Sequence, residues 1–458
     1  MENNLRIRKL TPRECFRLMA VSDEDINNLE SFSNSVKYHL AGDSIVVNVL
    51  QAIFKSILID NPVLENKPIR LIEFFAGYGS QALALKYLGI PFESWKTCEW
   101  AINSINAYKN IHHTNECDDY SDLMDKDDLV DYLYNKGISS NWNEPMKKDQ
   151  IARKKESELR EIYNNIKITK NLVNIQQVHA KDLDIKDRDN YNYILTYSFP
   201  CQDLSPAGKG AGMKKGSGTR SGMLWEVERI LQECGDELPQ LLLMENVPQV
   251  AGTKNKEHFD KWIEFLESKG YTNKWCMLNA KEVGYPKPIP QNRNRCFMVS
   301  VLNPKCDIVF PEKTERTMVL KDLLEENIDE KYYLSEKNIT YICGNDINKE
   351  LKDVYDREKA LFNKNISYTI NTKNDRRLGD TNYILEGYDE ITCKDFLKIR
   401  NATKKGYQEA CVGDGINISS RMKYQRGNVQ PQSIQTITTS GGNDRGVVFI
   451  ENKWDDLD

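Results

Sequence analysis

The segment Ile69-Arg70-Leu71-Ile72-Glu73-Phe74-Phe75 constrains the fold more than any other. It is an apolar, β-branched run and reads as a strand. The turn Ala76-Gly77-Tyr78-Gly79-Ser80 follows it. Residues 81–88 then read as a helix that stops at Gly89. The same order recurs more loosely downstream. Strands are predicted at 193–197, 241–244 and 296–301, with helices over 223–234 and 257–269. Strands alternating with helices imply an α/β fold with a mostly parallel sheet covered on both faces.

The chain has 458 residues, 40% hydrophobic and 29% charged, which suits two or three globular domains. No apolar run reads as long enough to cross a bilayer, so no membrane association is expected. The start, MENNLRIRKLTPREC, lacks the apolar stretch of a secretory signal, so a cytoplasmic protein is expected. Eleven cysteines are scattered without a CxxC pair, and none of the 5 histidines has metal-ligand spacing. Neither a disulfide framework nor a metal site is suggested.

The net charge of −5 does not point to nucleic acid. Two stretches depart from that average. Residues 208–222 carry Lys209, Lys214, Lys215 and Arg220 with no acid, and 394–426 carry eight basic residues against three acids. Either run alone reads as a solvated face. Residues 1–60 form a small unit, with a helix over 43–54 on which Val46, Val49, Leu50 and Ile53 recur at helical spacing. Residues 61–304 carry the βα alternation. A charged stretch at about 117–170 interrupts it and reads as a helical surface insertion. Residues 305–446 read as a separate irregular domain, and 447–458 as a tail.

Five places carry chemistry. The turn Phe75-Ala76-Gly77-Tyr78-Gly79-Ser80 lets backbone approach a ligand and ends at a helix N-terminus. A structural turn or a dinucleotide site fits it equally. Glu99, followed by Trp100, ends the next predicted strand, where an acid suits ribose hydroxyls. Pro200-Cys201-Gln202 follows a predicted strand and opens a loop rich in glycine and basic residues. Basic surroundings lower a thiol's pKa, although a lone cysteine is more often inert. Glu245 ends the apolar run 241–244, where desolvation raises a carboxyl's pKa; a capping acid fits as well. In Gln291-Asn292-Arg293-Asn294-Arg295 the arginines at i and i+2 point the same way if the stretch is extended.

Taken in order, these motifs resemble the DNA cytosine-5 methyltransferase family. Phe75-Ala76-Gly77-Tyr78-Gly79 resembles its cofactor turn, Pro200-Cys201-Gln202 its catalytic motif, Glu245-Asn246-Val247 its acid motif, and 291–295 its paired-arginine motif. Segments 8–15 and 42–50 resemble the family's last two motifs, which normally close the chain. Residues 435–442 resemble what usually runs into them. The resemblance therefore implies a circular permutation, with residues near 5 and 450 adjacent in space.

The resemblance implies a Rossmann-like S-adenosylmethionine-dependent fold with a seven-stranded sheet and a target-recognition domain at 305–446. It implies Cys201, Glu245, Arg293 and Arg295 as catalytic residues. Cofactor contacts are implied at Asp43, Ser44, Ile45, Phe75, Ala76, Gly77, Gly79, Ser80, Glu99, Trp100, Asp182, Leu183, Pro200 and Leu224. DNA contacts are implied at Gln202, Ser205, Lys209, Lys214, Lys215, Arg220 and Thr436. The expected activity is methylation of carbon 5 of cytosine in a specific double-stranded sequence, on a flipped-out base. A monomer is expected, and a paired restriction endonuclease is left open. Two residues depart from the pattern: Asp43 stands where the family has Asn, and Ser80 where it often has Gly. Three other readings stand beside this one. They are an RNA cytosine-5 methyltransferase, a NAD-linked oxidoreductase that leaves Cys201 and Glu245 unexplained, and a DNA-binding regulator with a dead site. No (D/N/S)PP(Y/F) motif of amino-group methyltransferases is present.

Overall fold

The computed structural model describes residues 4–201, 204, 212–213, 215 and 220–333, with seven short strands beyond them. For residues 4–7, Arg220 and those later strands only the backbone is described, Gln408 excepted.

Strand β1 (Asn4–Lys9) leads into α1 (Pro12–Arg17), which opens on a capping box. Thr11 Oγ1 accepts from Glu14 N–H at 3.2 Å, and the Glu14 carboxylate accepts from Thr11 N–H at 2.8 Å. Past a short helix at Asp23–Asn27 come α2 (Asn34–Asp43) and α3 (Val47–Phe54). The helix expected over 43–54, entered from a turn at 42–44, begins later, at Val47, behind a break at 44–46. Ser44 and Val46 are extended, and the break is held from both sides. Ser44 Oγ donates to the Ala41 carbonyl at 2.8 Å, and Val47 N–H donates to Met19 O at 2.9 Å. The 27-residue stretch Asn34–Asp60 is long and apolar enough to cross a membrane, contrary to the sequence expectation. Its apolar window is 78% buried inside the protein.

The central sheet comprises β2 (Ile69–Phe74), β3 (Phe92–Cys98), β4 (Asn192–Tyr197), β5 (Leu241–Asn246), β6 (Tyr271–Asn279) and β7 (Asn294–Leu302). Their order is β3-β2-β4-β5-β7-β6. The first four are mutually parallel, and β7 is antiparallel to both β5 and β6. The expected mostly parallel seven-stranded sheet is therefore a mixed six-stranded one. Beside β3, where a seventh strand would lie, there is a single parallel bridge from Thr97 to Asn171. Pairing stops there because Val173 turns into the left-handed region, at φ +67°.

Side chains alternate between two cores. Leu241 and Leu243 face one, while Leu242 and Met244 face the other; Phe297 and Val299 oppose Cys296 and Met298 in the same way. A sheet covered on both faces needs continuous apolar strands, and its ligand groups emerge at strand ends. Residues 10–64 supply one cover. Phe16, Val47, Leu50 and Ile53 pack with Ile69, Leu71 and Leu83, and Ile308 and Leu320 join them. The 117–170 stretch forms α helices Lys126–Lys136, Lys148–Ala152 and Glu156–Ile168. They bury Leu129, Leu133, Ile151, Leu159 and Ile162 against Ile102 and Ile105, so the stretch has a core as well as a charged surface.

A second, five-stranded antiparallel sheet sets β1 between strands Tyr383–Leu385 and Asp444–Glu451. Leu5 pairs with Ile450, so residues near 5 and 450 are neighbours, as the sequence reading expects.

The glycine turn is sterically dictated. Phe75, Gly77 and Gly79 have φ of +57°, +56° and +83°. A Cβ on Gly77 would meet nothing within 4 Å, whereas one on Gly79 would press on His112 and sit 2.7 Å from the Tyr108 ring. Gly79→Ala should therefore cost about 2–4 kcal/mol, from strain and overpacking together. Gly77→Ala should cost only the strain, about 1–2 kcal/mol. Thermal melting of both variants checks this; equal melting temperatures would refute it.

Candidate active site

Strands β2, β3, β4 and β5 end on one side of the sheet, and their exits meet at a cavity of about 250 Å³. Its lining brings together Phe75, Gly77, Glu99, Trp100, Pro200, Cys201, Glu245, Arg293 and Arg295, with Asp43 from the end of α2. A smaller cavity of about 60 Å³ shares Asp43, Phe75 and Gly77 and adds Ser44, Ile45, Ala76 and Ser80. Four separately predicted motifs and the 42–45 break thus converge. Gly79 caps the helix Ser80–Tyr87 behind the turn.

Glu99 is the anchor at one end. Its carboxylate accepts from Gly77 N–H at 3.0 Å and from Ala101 N–H at 2.8 Å. Each oxygen retains a lone pair for a ligand hydroxyl. Burial raises its pKa, opposed by those backbone donors. Phe75 N–H donates to Cys98 O at 2.8 Å and so ties the turn to the end of β3.

At the other end, Cys201 lies four residues beyond β4. Asn246 Nδ2 donates to Phe199 O at 2.9 Å, and Ser221 Oγ donates to Pro200 O at 2.7 Å, fixing the backbone before the thiol. Glu245 lies inside β5, one position from its end, rather than beyond the strand. Arg295 Nε is 3.1 Å from Glu245 Oε1, with both side chains almost fully buried. Desolvation raises the Glu245 pKa, although Arg295 and Arg293 oppose it, as expected from the sequence.

The arginines diverge. The stretch is not extended at Arg293, whose N–H donates back to Gln291 O at 3.0 Å. Its Nη2 reaches the carbonyls of Gly42 at 3.2 Å and Ser44 at 2.7 Å, while Arg295 serves Glu245. Among the described residues, Arg293 Nε and Nη1 find no hydrogen-bond partner. Burial lowers the Arg293 pKa to about 9, with Arg295 adding to the effect.

The lowered thiol pKa expected for Cys201 is corrected. Burial pushes it up to about 11, against the pull of Arg295, and Glu245 and Asp43 push the same way. Asp182, Leu183 and Leu224 line neither cavity. Asp182 accepts from His179 N–H at 2.8 Å as a helix cap, Leu183 O accepts from Trp95 Nε1, and Leu224 is buried in the core beneath the helix Leu224–Glu233. Asn174 and Ile175 line the cavity instead. Their signal was positional, in the turn that leaves the Thr97–Asn171 bridge. Lys215 is exposed and pairs with Glu228 at 2.8 Å, away from the cavity. Gln202, Ser205, Lys209, Lys214, Thr436 and the side chain of Arg220 lie outside the described residues.

With the thiol form favoured below about pH 11, alkylation of Cys201 in the free protein should be slow at neutral pH. Its iodoacetamide rate, followed by peptide mass mapping, should rise about tenfold per unit between about pH 7 and about pH 10. A plateau reached by about pH 8 would contradict the burial account.

Comparison with known proteins follows the same residues. The family model for C-5 cytosine-specific DNA methylase matches residues 2–58 and 124–441. The chain is 39% identical over 275 residues to the type II methyltransferase M2.ScrFI of Lactococcus lactis subsp. cremoris, covering 59% of this chain and 72% of that protein. It is 38% identical over 273 residues to the orphan methyltransferase M.SssI of Spiroplasma monobiae, covering 59% and 68%. The solved S. pombe Dnmt2 methyltransferase aligns over 62% of this chain and 65% of its own, at 18% identity and a TM-score of 0.35.

Proposed function

The chain belongs to the C-5 cytosine-specific DNA methylase family and is a DNA (cytosine-5-)-methyltransferase, and from that premise we propose that Cys201 is its nucleophile and that Glu245 and Arg295 hold the target base. The observation that carries this is a shared cavity. Cys201, Glu245, Arg293 and Arg295 line the same space as the glycine turn and Glu99.

The family implies S-adenosylmethionine, and the donor set fits it. Phe75, Trp100 and Ile175 offer apolar and aromatic walls for a purine, and the Glu99 carboxylate has acceptors left for a ribose diol. The backbone at Ser80, opening its helix, suits the carboxylate of the amino-acid tail. Asp43, in place of the usual Asn, suits the ammonium. When bound, this cofactor supplies a methyl group carried on a sulfonium.

The rest falls to side chains. The Cys201 sulfur, as thiolate, adds to carbon 6 of a flipped-out cytosine, and the ring electrons shift toward carbon 5. Glu245, kept toward its protonated form by burial, donates to ring nitrogen 3 and accepts from the exocyclic amine. Arg295 orients Glu245 and reaches the base oxygen. After methylation, loss of the carbon-5 proton expels the Cys201 sulfur and restores the ring. Because the resting thiol is protonated, the incoming base must coincide with its deprotonation.

The DNA contacts assigned to Gln202, Ser205, Lys209, Lys214, Lys215, Arg220 and Thr436, and the reading of sequence by residues 305–446, belong to the same proposal. So does the circular permutation. The order of the motifs supports it, as do the Leu5–Ile450 pairing and the arrival of Gly42–Ile45 at the cavity of the glycine turn.

Incubation with labelled S-adenosylmethionine and duplex DNA should place the label on carbon 5 of cytosine. Cys201→Ser should lower turnover by at least about a thousandfold, and Glu245→Gln by about 10²–10³. A duplex carrying 5-fluorocytosine should trap a covalent adduct at Cys201. Wild-type turnover by Cys201→Ser would overturn the assignment.

A further inference from the structure

We propose that Trp142, carried by the 117–170 stretch, is a cofactor-binding residue whose indole walls the nucleoside site; this rests on the S-adenosylmethionine reading above. Among the described residues, it is the one member of that stretch lining either cavity, and it lines both.

Its placement is built. Trp142 has φ +59°, a left-handed conformation that a bulky side chain adopts only when its surroundings impose it. The loop is pinned to the exit of β3. Ser139 N–H donates to Trp100 O at 2.7 Å, and Ile102 N–H donates back to Ser139 O at 2.9 Å. Within the loop, Ser139 Oγ donates to Glu144 O at 2.7 Å, and Asn141 Oδ1 accepts from Asn143 N–H at 2.9 Å. Trp142 therefore rides on the same backbone that presents Glu99 and Trp100.

Two segments converge on the indole. Its ring centroid is 3.6 Å from that of His39, on α2, at an interplanar angle of 46°. His39 Nε2 is 3.1 Å from the Asp43 carboxylate, and Trp142 Nε1 is 3.3 Å from Ser104 Oγ. Asp43 and Ser104 line both cavities with it. An aromatic face at the seam of two connected cavities removes ligand surface from water and excludes solvent from beside the bound nucleoside. The stretch that interrupts the βα alternation thereby contributes to the cofactor site.

The test is calorimetric titration with S-adenosylhomocysteine. Trp142→Ala should weaken binding roughly 10- to 100-fold, and Trp142→Phe, which keeps a ring, should stay within about threefold of wild type. Melting of the ligand-free Trp142→Ala protein should match wild type. A second measurement needs no truncated side chain: S-adenosylhomocysteine should change the tryptophan emission of the wild type, and Trp142→Phe should lose at least about half of that change. Wild-type affinity in Trp142→Ala, or an undiminished emission change in Trp142→Phe, overturns this inference alone. A wild-type protein that does not bind S-adenosylhomocysteine overturns the cofactor reading and this inference with it.

Discussion

Two hydrogen bonds from one buried guanidinium hold this site together. Arg293 joins the carbonyls of Gly42 and Ser44 to the start of β7, across 251 and 249 residues of chain. Those carbonyls are available because α2 stops at Asp43 and the next helix waits until Val47. A continuous helix would have used the Gly42 carbonyl internally. The broken helix supplies acceptors to the arginine and, in the same turn, brings Asp43, Ser44 and Ile45 to the cavities. The wall opposite the glycine turn depends on this contact.

Desolvation governs the chemistry that the wall encloses. Cys201 and Glu245 are both held toward their neutral forms, although two arginines stand beside them. Water is the better solvent for a thiolate, and the arginines only partly replace it. A site arranged this way is quiet when empty. In the role proposed for Cys201, its sulfur resists alkylation and oxidation while its pKa stays raised.

The parts of this arrangement legible in sequence were those encoded locally. The apolar run at 69–75, its glycines and the stop at Gly89 specify strand, turn and helix without outside help, and they stand within a residue of the expected bounds. Cys201, Glu245, Arg293 and Arg295 share one cavity because each sits near the end of a buried strand, which apolar runs reveal. What failed was set by tertiary context. β6 carries Thr272, Asn273 and Lys274 on a sheet edge, so it shows no apolar run. Asp182 looked like a ligand acid but caps its own short helix, while Asn174 reaches the cavity through a turn that no periodicity marks. The Cys201 pKa was misread because basic neighbours in sequence say nothing about depth of burial. Trp142 carries no sequence signal because it stands in an irregular loop between two helices, with neither periodicity nor a motif around it.

The pairing of Leu5 with Ile450 carries a consequence for the order of assembly. During synthesis β1 emerges long before its partner strands, with its backbone donors and acceptors unmatched. Most of the helices that pack behind the central sheet can settle first, since their contacts lie within 10–333. The second sheet closes late, because β1 and Asp444–Glu451 lie far apart along the chain and loop-closure entropy grows with that separation. Catalytic core and second sheet therefore mature at different times, and β1, made well before its partner strands, is among the later described elements to find its place.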